Sequence, residues 1–254
     1  APTLDASLKP ALVDGLEDHA YQLAANLLLQ GFNDADGDLL EIEDLKVSSG
    51  NGELIADGSG GWSFIPTANA YGEVNLSYVV SDGRGGRTPA TQTFNLQEVN
   101  DAPSQTGPLA DLPEGLEDAR YILKATDLLQ GFSDVDGDQL AVTGLKASIG
   151  TLRAHADGNW TLTAPQNFNG DIELSYAVCD ENGNTIAAEQ NFTLKPVNDA
   201  PVVSGVVDLG SMQEDGTFEL TSEQLLANAS DVDGDALSYS ITGGSDITAT
   251  LDGN

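Results

Sequence analysis

The chain repeats itself at a spacing of about 100 residues, and this period constrains its fold more than any other feature of the sequence. Residues 15–18 (Gly-Leu-Glu-Asp) recur at 115–118, and residues 99–103 (Val-Asn-Asp-Ala-Pro) recur at 197–201. Self-similarity at a fixed period is the signature of tandem structural units. The sequence therefore predicts a series of related domains rather than one large fold.

The repeated segments divide the chain into three copies. The first two copies are complete, and we place them at residues 1–101 and 102–199. The third copy, residues 200–254, ends in Asp-Gly-Asn, which matches residues 157–159 in the middle of the second copy. We therefore expect the third copy to be the N-terminal half of a repeat.

The second half of each copy alternates apolar and polar residues, which is the period of a half-buried β-strand. The alternation covers residues 62–64, 76–80 and 91–96, and it returns at the matching places of the second copy. About seven short strands within about 100 residues, separated by turn residues, are typical of immunoglobulin-like domains. The predicted fold class is all-β, with tandem immunoglobulin-like antiparallel β-sandwiches in a linear array.

One segment of each copy departs from the strand pattern. Residues 24–29 (Ala-Ala-Asn-Leu-Leu-Leu) and residues 124–129 (Lys-Ala-Thr-Asp-Leu-Leu) favour a single helical turn. We place this turn between the first two strands of the copy.

The charge of the chain restricts its partners. It carries 41 Asp and Glu residues against 9 Lys and Arg residues, a formal net charge of −32. A folded chain this acidic repels itself unless it lives in high salt or binds cations. Nucleic acid is a poor partner because phosphate contacts need Lys and Arg, and an anionic membrane is disfavoured for the same reason. No apolar run reaches the roughly 18 residues that a membrane span needs.

The acidic residues gather in loops that a sandwich would place at its ends. An Asp-x-Asp-Gly-Asp segment occurs at residues 34–38, 134–138 and 231–235. Two Asp side chains two residues apart in a turn can converge on one ion, and Ca²⁺ takes six to eight oxygen ligands. The segment is not an EF-hand, because positions 6 and 12 counted from Asp34 are Leu39 and Leu45 instead of Gly and Glu. The alternative is that these residues only form turns, which Asp, Asn and Gly favour without any metal.

Taken together, the motifs resemble a known family. Each complete copy contains Glu-Asp, Leu-Leu, Asp-x-Asp-Gly-Asp, Asp-Gly-x-Trp or a close variant, Tyr-x-Val-x-Asp and Val-Asn-Asp-Ala-Pro, in that order. This series is similar to the bacterial cadherin-like repeats, of the type called VCBS or cadherin-like tandem repeats, in large RTX-type surface adhesins exported by type I secretion. The resemblance covers essentially the whole chain. It implies cadherin-like sandwiches with Ca²⁺ bound at the linkers between repeats.

The resemblance to cadherins also implies which residues bind Ca²⁺. For the first junction these are Glu17, Glu73, Asn100 and Asp101, followed by Asp134, Asp136 and Asp180 of the next copy. For the second junction they are Glu117, Asp171, Asn198, Asp199, Asp231 and Asp233. Asp34, Asp36 and Asp82 would form half of a further site that faces an upstream repeat.

The chain departs from the cadherin pattern at two places. The family's Asp two residues before the linker Asn is Glu98 at the first junction, which we keep as a candidate ligand, and Pro196 at the second. The second acid of the motif before the late strand is missing, and Tyr71 stands in that region. We therefore expect fewer than the full set of ions, and fewer or weaker ones at the second junction.

The expected function is a calcium-stiffened extender of a bacterial surface adhesin that supports cell adhesion or biofilm formation. It would be extracellular, on the bacterial cell surface, with neighbouring repeats of the same chain as partners and a host or surface ligand held through other domains. The alternative is a repeat that itself binds a glycan or protein. An enzyme is not expected, because the two histidines, His19 and His155, stand at non-equivalent places and Gly-x-Ser-x-Gly is absent.

Overall fold

The structure, a computed structural model, describes residues 1–211, 213 and 216–240, so the Asp-Gly-Asn end of the third copy lies outside the described residues. Two compact units are present. The first unit consists of Ala1–Ser104, Ser133–Gln139 and Asp180–Asn184. The second consists of Gln105–Phe132, Leu140–Cys179 and the chain from Thr185 onward. Each unit contains one complete β-sandwich.

The sandwich of the first unit is built from nine strands and one short α-helix. They are β1 (Thr3–Leu4), β2 (Gly15–Leu16), β3 (Tyr21–Ala24), α1 (Ala25–Leu29), β4 (Phe32–Asn33), β5 (Glu41–Ser49), β6 (Gly52–Ala56), β7 (Gly61–Pro66), β8 (Gly72–Ser81) and β9 (Arg87–Gln97), with a 3₁₀ turn at Ala6–Leu8. One sheet has the order β2-β9-β8-β5 and the other has the order β3-β7-β6. A two-stranded pair, β1-β4, completes the domain.

The second copy, which the structure describes throughout, has the same strands and α-helix in the same order, without the 3₁₀ turn. They are β10 (Ser104–Gln105), β11 (Gly115–Leu116), β12 (Tyr121–Leu123), α2 (Ala125–Leu128), β13 (Phe132–Ser133), β14 (Ala141–Ala147), β15 (Thr151–Ala154), β16 (Trp160–Thr163), β17 (Gly170–Cys179) and β18 (Thr185–Lys195). Its sheets have the orders β11-β18-β17-β14 and β12-β16-β15. The described part of the third copy contains β19 (Val202–Val203), α3 (Ser222–Leu225) and β20 (Ala229–Ser230), and β19 pairs with β20.

The predicted alternation determines which side chains enter the core. Along β8, Val74, Leu76, Tyr78 and Val80 are each at most 4% exposed, while the residues between them lie on the other face of the sheet. Phe64 on β7 is fully buried against Phe94 on β9, with the ring centroids 5.5 Å apart in an edge-to-face arrangement. The second sandwich packs its matching side chains in the same way.

The all-β fold of tandem sandwiches is confirmed, with one short exception to the antiparallel pairing in each sandwich. β2 runs parallel to β9, with Gly15 opposite Leu96, and β11 runs parallel to β18 in the same way. These parallel strands are only two residues long, too short to show an alternation in the sequence. They fix the chain just before Glu17 and Glu117 beside the last strand of each sandwich.

The predicted helical turn exists, but its predicted position was wrong. α1 follows β3 instead of lying between the first two strands, because the two-residue strands β1 and β2 both precede it. It carries the chain from β3 in the three-stranded sheet to β5 in the four-stranded sheet. Leu28 of α1 is 2% exposed, and its carbonyl accepts a hydrogen bond of 2.9 Å from the Tyr78 hydroxyl. The turn is therefore fixed by the core.

Candidate metal centre

A glutamate is buried at the same end of each sandwich. Glu17 is 0% exposed and Glu117 is 2% exposed. The backbone N–H of Glu17 donates to Gln97 O at 3.0 Å, which places this residue beside the end of β9. Its Oε1 accepts from Val99 N at 2.9 Å, and Glu117 Oε1 accepts from Val197 N at 2.7 Å. Each buried carboxylate therefore contacts the backbone of the linker that follows its sandwich.

An Asp–Asn pair, which the sequence analysis missed, lies beside each buried glutamate. Asn69 N donates to Asp18 Oδ1 at 2.9 Å, and Asn69 Nδ2 donates to Asp101 Oδ2 at 2.6 Å. In the second copy, Asn167 N donates to Asp118 Oδ1 and its Nδ2 donates to Asp199 Oδ2, both at 2.9 Å. A positive φ near 57° is shared by the four paired residues, Asp18, Asn69, Asp118 and Asn167. Asn and Asp tolerate this backbone conformation better than most residues.

The Asp-x-Asp-Gly-Asp loop meets the linker through its second Asp. Asp136 N donates to Asp134 Oδ1 at 2.9 Å, which closes a turn around the first Asp of the loop. Asp136 Oδ2 in turn accepts from Asp101 N at 2.7 Å. In the second unit, Asp233 Oδ2 accepts from Asp199 N at the same distance of 2.7 Å. The predicted ligands Asp231 and Asp233 are joined like Asp134 and Asp136, with a distance of 3.0 Å.

The linker asparagine of the first unit contacts the predicted late Asp. Asn100 Nδ2 donates to Asp180 Oδ2 at 2.8 Å, and Asp180 is 6% exposed. Burial acts to raise the pKa of Asp180, but hydrogen bonds from Asn100 and from the backbone of Asn184 lower it overall. Asn198, the linker asparagine of the second unit, is exposed and donates to Asp199 O at 2.8 Å.

These contacts define two groups of residues. The first acidic cluster contains Glu17, Asp18, Asn69, Asn100, Asp101, Asp134, Asp136 and Asp180, all in the first unit. The second acidic cluster contains Glu117, Asp118, Asn167, Asn198, Asp199, Asp231 and Asp233, all in the second unit. In the second acidic cluster, carboxylate oxygens of Glu117, Asp199 and Asp233 lie within 4.8 Å of one another.

The electrostatics of both clusters favour a bound cation. Burial, followed by repulsion from Asp18 and Asp136, raises the pKa of Asp101 above its usual range. Burial raises the pKa of Asp199 in the same way, and Asp118 and Asp233 add to the effect. Like charges held this close destabilise one another unless a proton or a metal ion offsets them.

Unpartnered buried oxygens show where such an ion fits. Among the residues that the structure describes, Glu17 Oε2 and Asp134 Oδ2 are buried without any hydrogen-bond partner. A buried ionised oxygen without a partner is costly, and Ca²⁺ is a hard cation that prefers carboxylate, amide and carbonyl oxygens. The donor set of the first acidic cluster therefore fits Ca²⁺.

Three of the predicted ligands lie apart from these contacts. Glu73 is exposed on β8 and accepts from Asn75 Nδ2 at 2.7 Å. Asp171 is exposed on β17 and accepts from Thr193 Oγ1 at 2.6 Å. Glu98 is exposed in the stretch after β9. Asn69 and Asn167, which were not predicted, contact the linker aspartates instead.

Two residues of the third group of predicted ligands, Asp34 and Asp82, lie close to the amino group of the first residue. The Ala1 ammonium lies 3.4 Å from both Asp34 Oδ2 and Asp82 Oδ2. Carboxylate oxygens of Asp34, Asp36 and Asp38 lie within 4.8 Å of one another. Asp38 also forms an ion pair with Arg84 at 2.9 Å.

A sequence model described as a cadherin-like domain matches residues 1–97, 99–195 and 197–254. No curated protein sequence is significantly similar to the chain. Among the described residues, no helix is long and apolar enough to cross a membrane.

The solved structures similar to the chain include the following three. Domains EC1-2 of human mucin-like protocadherin are 15% identical, with a TM-score of 0.44, covering 78% of this chain and 98% of theirs. Domains EC22-24 of mouse cadherin-23 are 14% identical, with a TM-score of 0.48, covering 80% and 70%. An endo-fucoidan hydrolase of glycoside hydrolase family 107 is 22% identical, with a TM-score of 0.31. That match covers 77% of this chain, which spans only 29% of the hydrolase chain.

Proposed function

Since the chain belongs to the cadherin-like domain family, we propose that it is a calcium-stiffened spacer with Ca²⁺ bound where consecutive repeats join. The observation that carries this proposal is the pair of buried, unpartnered carboxylate oxygens, Glu17 Oε2 and Asp134 Oδ2. We keep the repeat boundaries at residues 1–101, 102–199 and 200–254.

The residues that would hold Ca²⁺ come from three places in the sequence. The buried glutamate directly follows the short strand β2 or β11, Asp101 or Asp199 lies in the linker, and an Asp-x-Asp-Gly-Asp loop follows. When bound, Ca²⁺ would supply positive charge and accept oxygen ligands. The chain's own contribution is to fix these oxygens in advance, because Asn69 and the Asp136 carboxylate already hold Asp101 through hydrogen bonds.

The mechanical role follows from the charges of the linker. Without a cation, Asp101, Asp134 and Asp136 repel one another, which favours separation of the three segments. With Ca²⁺ these segments become one connected unit. Repeats joined in this way would act as a stiff extender. We place this role in a bacterial surface adhesin of the VCBS type, exported by type I secretion and used in cell adhesion or biofilm formation.

The proposed role is structural rather than catalytic, and it is extracellular. The partners would be neighbouring repeats, with a host or surface ligand held by other domains. Each sandwich has an open groove on its four-stranded sheet, lined by Lys46, Ser77 and Thr91 in the first and by Lys146, Ser175 and Glu189 in the second. Because the grooves occupy equivalent places, they do not mark one repeat as a dedicated glycan- or protein-binding module.

Calcium is expected to raise the melting temperature of the chain, because a ligand that binds only the folded form stabilises it by mass action. At a free concentration about 100 times the Kd, the gain is about 2.7 kcal/mol per site. Differential scanning calorimetry in millimolar Ca²⁺, in excess chelator and in Mg²⁺ at equal ionic strength measures it. Equal melting temperatures in all three would mean that the acidic loops are ordinary turns.

The same calcium-dependent gain should shrink as the pH falls from neutral. Asp101 and Asp199 have raised pKa values, so they take up protons before ordinary carboxyl groups do, and a protonated carboxyl is a poor ligand. In chelator, these two groups change the free energy of unfolding in the opposite direction. Their mutual repulsion with neighbouring carboxylates destabilises the folded chain at pH values above the raised pKa, and it is relieved as the pH falls toward the pKa of an unfolded chain.

A further inference from the structure

The hydrogen bonding of the buried glutamate differs between the two acidic clusters. Glu17 Oε2 has no hydrogen-bond partner among the described residues. Glu117 Oε2 accepts a hydrogen bond of 2.9 Å from Asn169 Nδ2. The Oε1 atoms of both glutamates accept from linker N–H groups, so the difference is confined to the second oxygen.

One position in the repeat accounts for the difference. Asn169 lies two residues after Asn167 and directly before Gly170, which begins β17. The residue at the same place in the first copy is Tyr71, two residues after Asn69 and directly before Gly72. Tyr71 is 61% exposed and Asn169 is exposed too, so exchanging these side chains does not disturb a packed core.

We propose that Asn169 is a positioning residue that satisfies the buried Glu117 in the absence of a cation and thereby lowers the calcium affinity of the second acidic cluster. This inference rests on the proposed function. The amide of Asn169 offers Glu117 a neutral donor from within the same sandwich, between β16 and β17. Tyr71, at the matching place in the first copy, donates no hydrogen bond to Glu17 Oε2.

The physical reason lies in the calcium-free state. A buried carboxylate oxygen without a partner raises the free energy of that state, and the penalty disappears when a cation binds. Where an amide already donates to the oxygen, the calcium-free state is lower in free energy. Calcium binding then has less to gain and must also displace or share the existing hydrogen bond.

The test exchanges the two residues in the full chain. Tyr71→Asn should lower the calcium affinity of the first acidic cluster, and Asn169→Tyr should raise that of the second, each by about tenfold. In an Asp233→Asn background, isothermal titration calorimetry measures the calcium affinity of the first acidic cluster. In an Asp136→Asn background, it measures that of the second acidic cluster. Comparing each variant with its own background removes other differences between the clusters.

A second readout separates positioning from a general effect on folding. In chelator, Tyr71→Asn should raise the melting temperature and Asn169→Tyr should lower it, so affinity and calcium-free stability move in opposite directions. Asn169→Ala, which only removes the donor, should act like Asn169→Tyr on both quantities. Circular dichroism verifies that each variant is folded.

The outcomes distinguish this inference from the proposed function. If the unsubstituted chain and all variants fail to bind Ca²⁺, the proposed function is wrong and the inference fails with it. If the chain binds Ca²⁺ but the exchanges leave the affinity within about twofold, only the role of Asn169 is overturned. Affinity and calcium-free stability that move in the same direction would also contradict it.

Discussion

Asp136→Asn is expected to lower the calcium affinity of the first acidic cluster by about a hundredfold or more, since changes to residues outside the ligand shell already cost roughly 10–100-fold in other metal sites. The substitution keeps the size of the side chain and an oxygen that can still accept from Asp101 N, at present 2.7 Å away. It removes one of the charges that raise the pKa of Asp101. Calorimetric titration of the full chain with Ca²⁺ measures the loss.

Asp171→Asn is the matched control for this variant. Asp171 has the same chemistry and was also predicted to be a ligand, but it is exposed and hydrogen-bonded to Thr193 on β18. We therefore expect Asp171→Asn to bind Ca²⁺ like the unsubstituted chain. If Asp171→Asn lost affinity and Asp136→Asn kept it, the ligand set drawn from the structure would be wrong.

Phe64→Ala is expected to destabilise the first sandwich by about 3–5 kcal/mol, the usual cost of deleting a buried aromatic ring. Phe64 is 0% exposed, packs edge-to-face on Phe94, and belongs to the core that joins the two sheets. Because Phe64 belongs to the apolar core and is not part of the first acidic cluster, the loss should be the same in Ca²⁺ and in chelator. Urea unfolding followed by tryptophan fluorescence measures it, in a Trp160→Phe background that leaves Trp62 as the reporter in the first sandwich.

Ile55→Ala on the neighbouring strand β6 is the control for the core variant. Ile55 is 54% exposed, and its truncation should change the free energy of unfolding by no more than about 0.5 kcal/mol. Equal effects of the two substitutions would contradict the assignment of Phe64 to the core.

The sequence carried enough information for the architecture because the strand pattern is local and repeated. The alternation predicted over residues 76–80 and 91–96 puts Leu76, Val80, Phe94 and Leu96 on buried faces, and the structure buries all four below 4% exposure. The two-residue strands β2 and β11 could not be predicted in this way. Their parallel pairing depends on contacts with β9 and β18 more than 75 residues away in the chain, and no local pattern records it.

The candidate site was predictable where its residues recur in loops. Glu17, Asp101 and Asp136 stand in motifs that return in each copy, and the structure places them in one cluster. Asp18 and Asn69 carried the same signal, since Asp118 and Asn167 repeat them, but neither fitted the acidic motif expected from cadherins. Their role depends on the left-handed backbone that aims Asn69 at the linker.

The strand pattern itself argued against Glu73 as a ligand. Val74, directly after it, is buried, so alternation puts Glu73 on the outer face of β8. The resemblance to cadherins gave the position of an acid but not the direction of its side chain. The alternation along a strand indicates which face each side chain lies on, and it is therefore the better guide to whether an acid can reach the site.

Small-angle X-ray scattering of the full chain, in millimolar Ca²⁺ and then in excess chelator, tests the central claim most directly. If Ca²⁺ holds the linkers through the two acidic clusters, the particle should be longer and stiffer in Ca²⁺ and should become flexible in chelator. Asp136→Asn together with Asp233→Asn should give the chelator profile even when Ca²⁺ is present. Identical profiles in Ca²⁺ and in chelator would contradict the claim and leave the junctions to be held by packing alone.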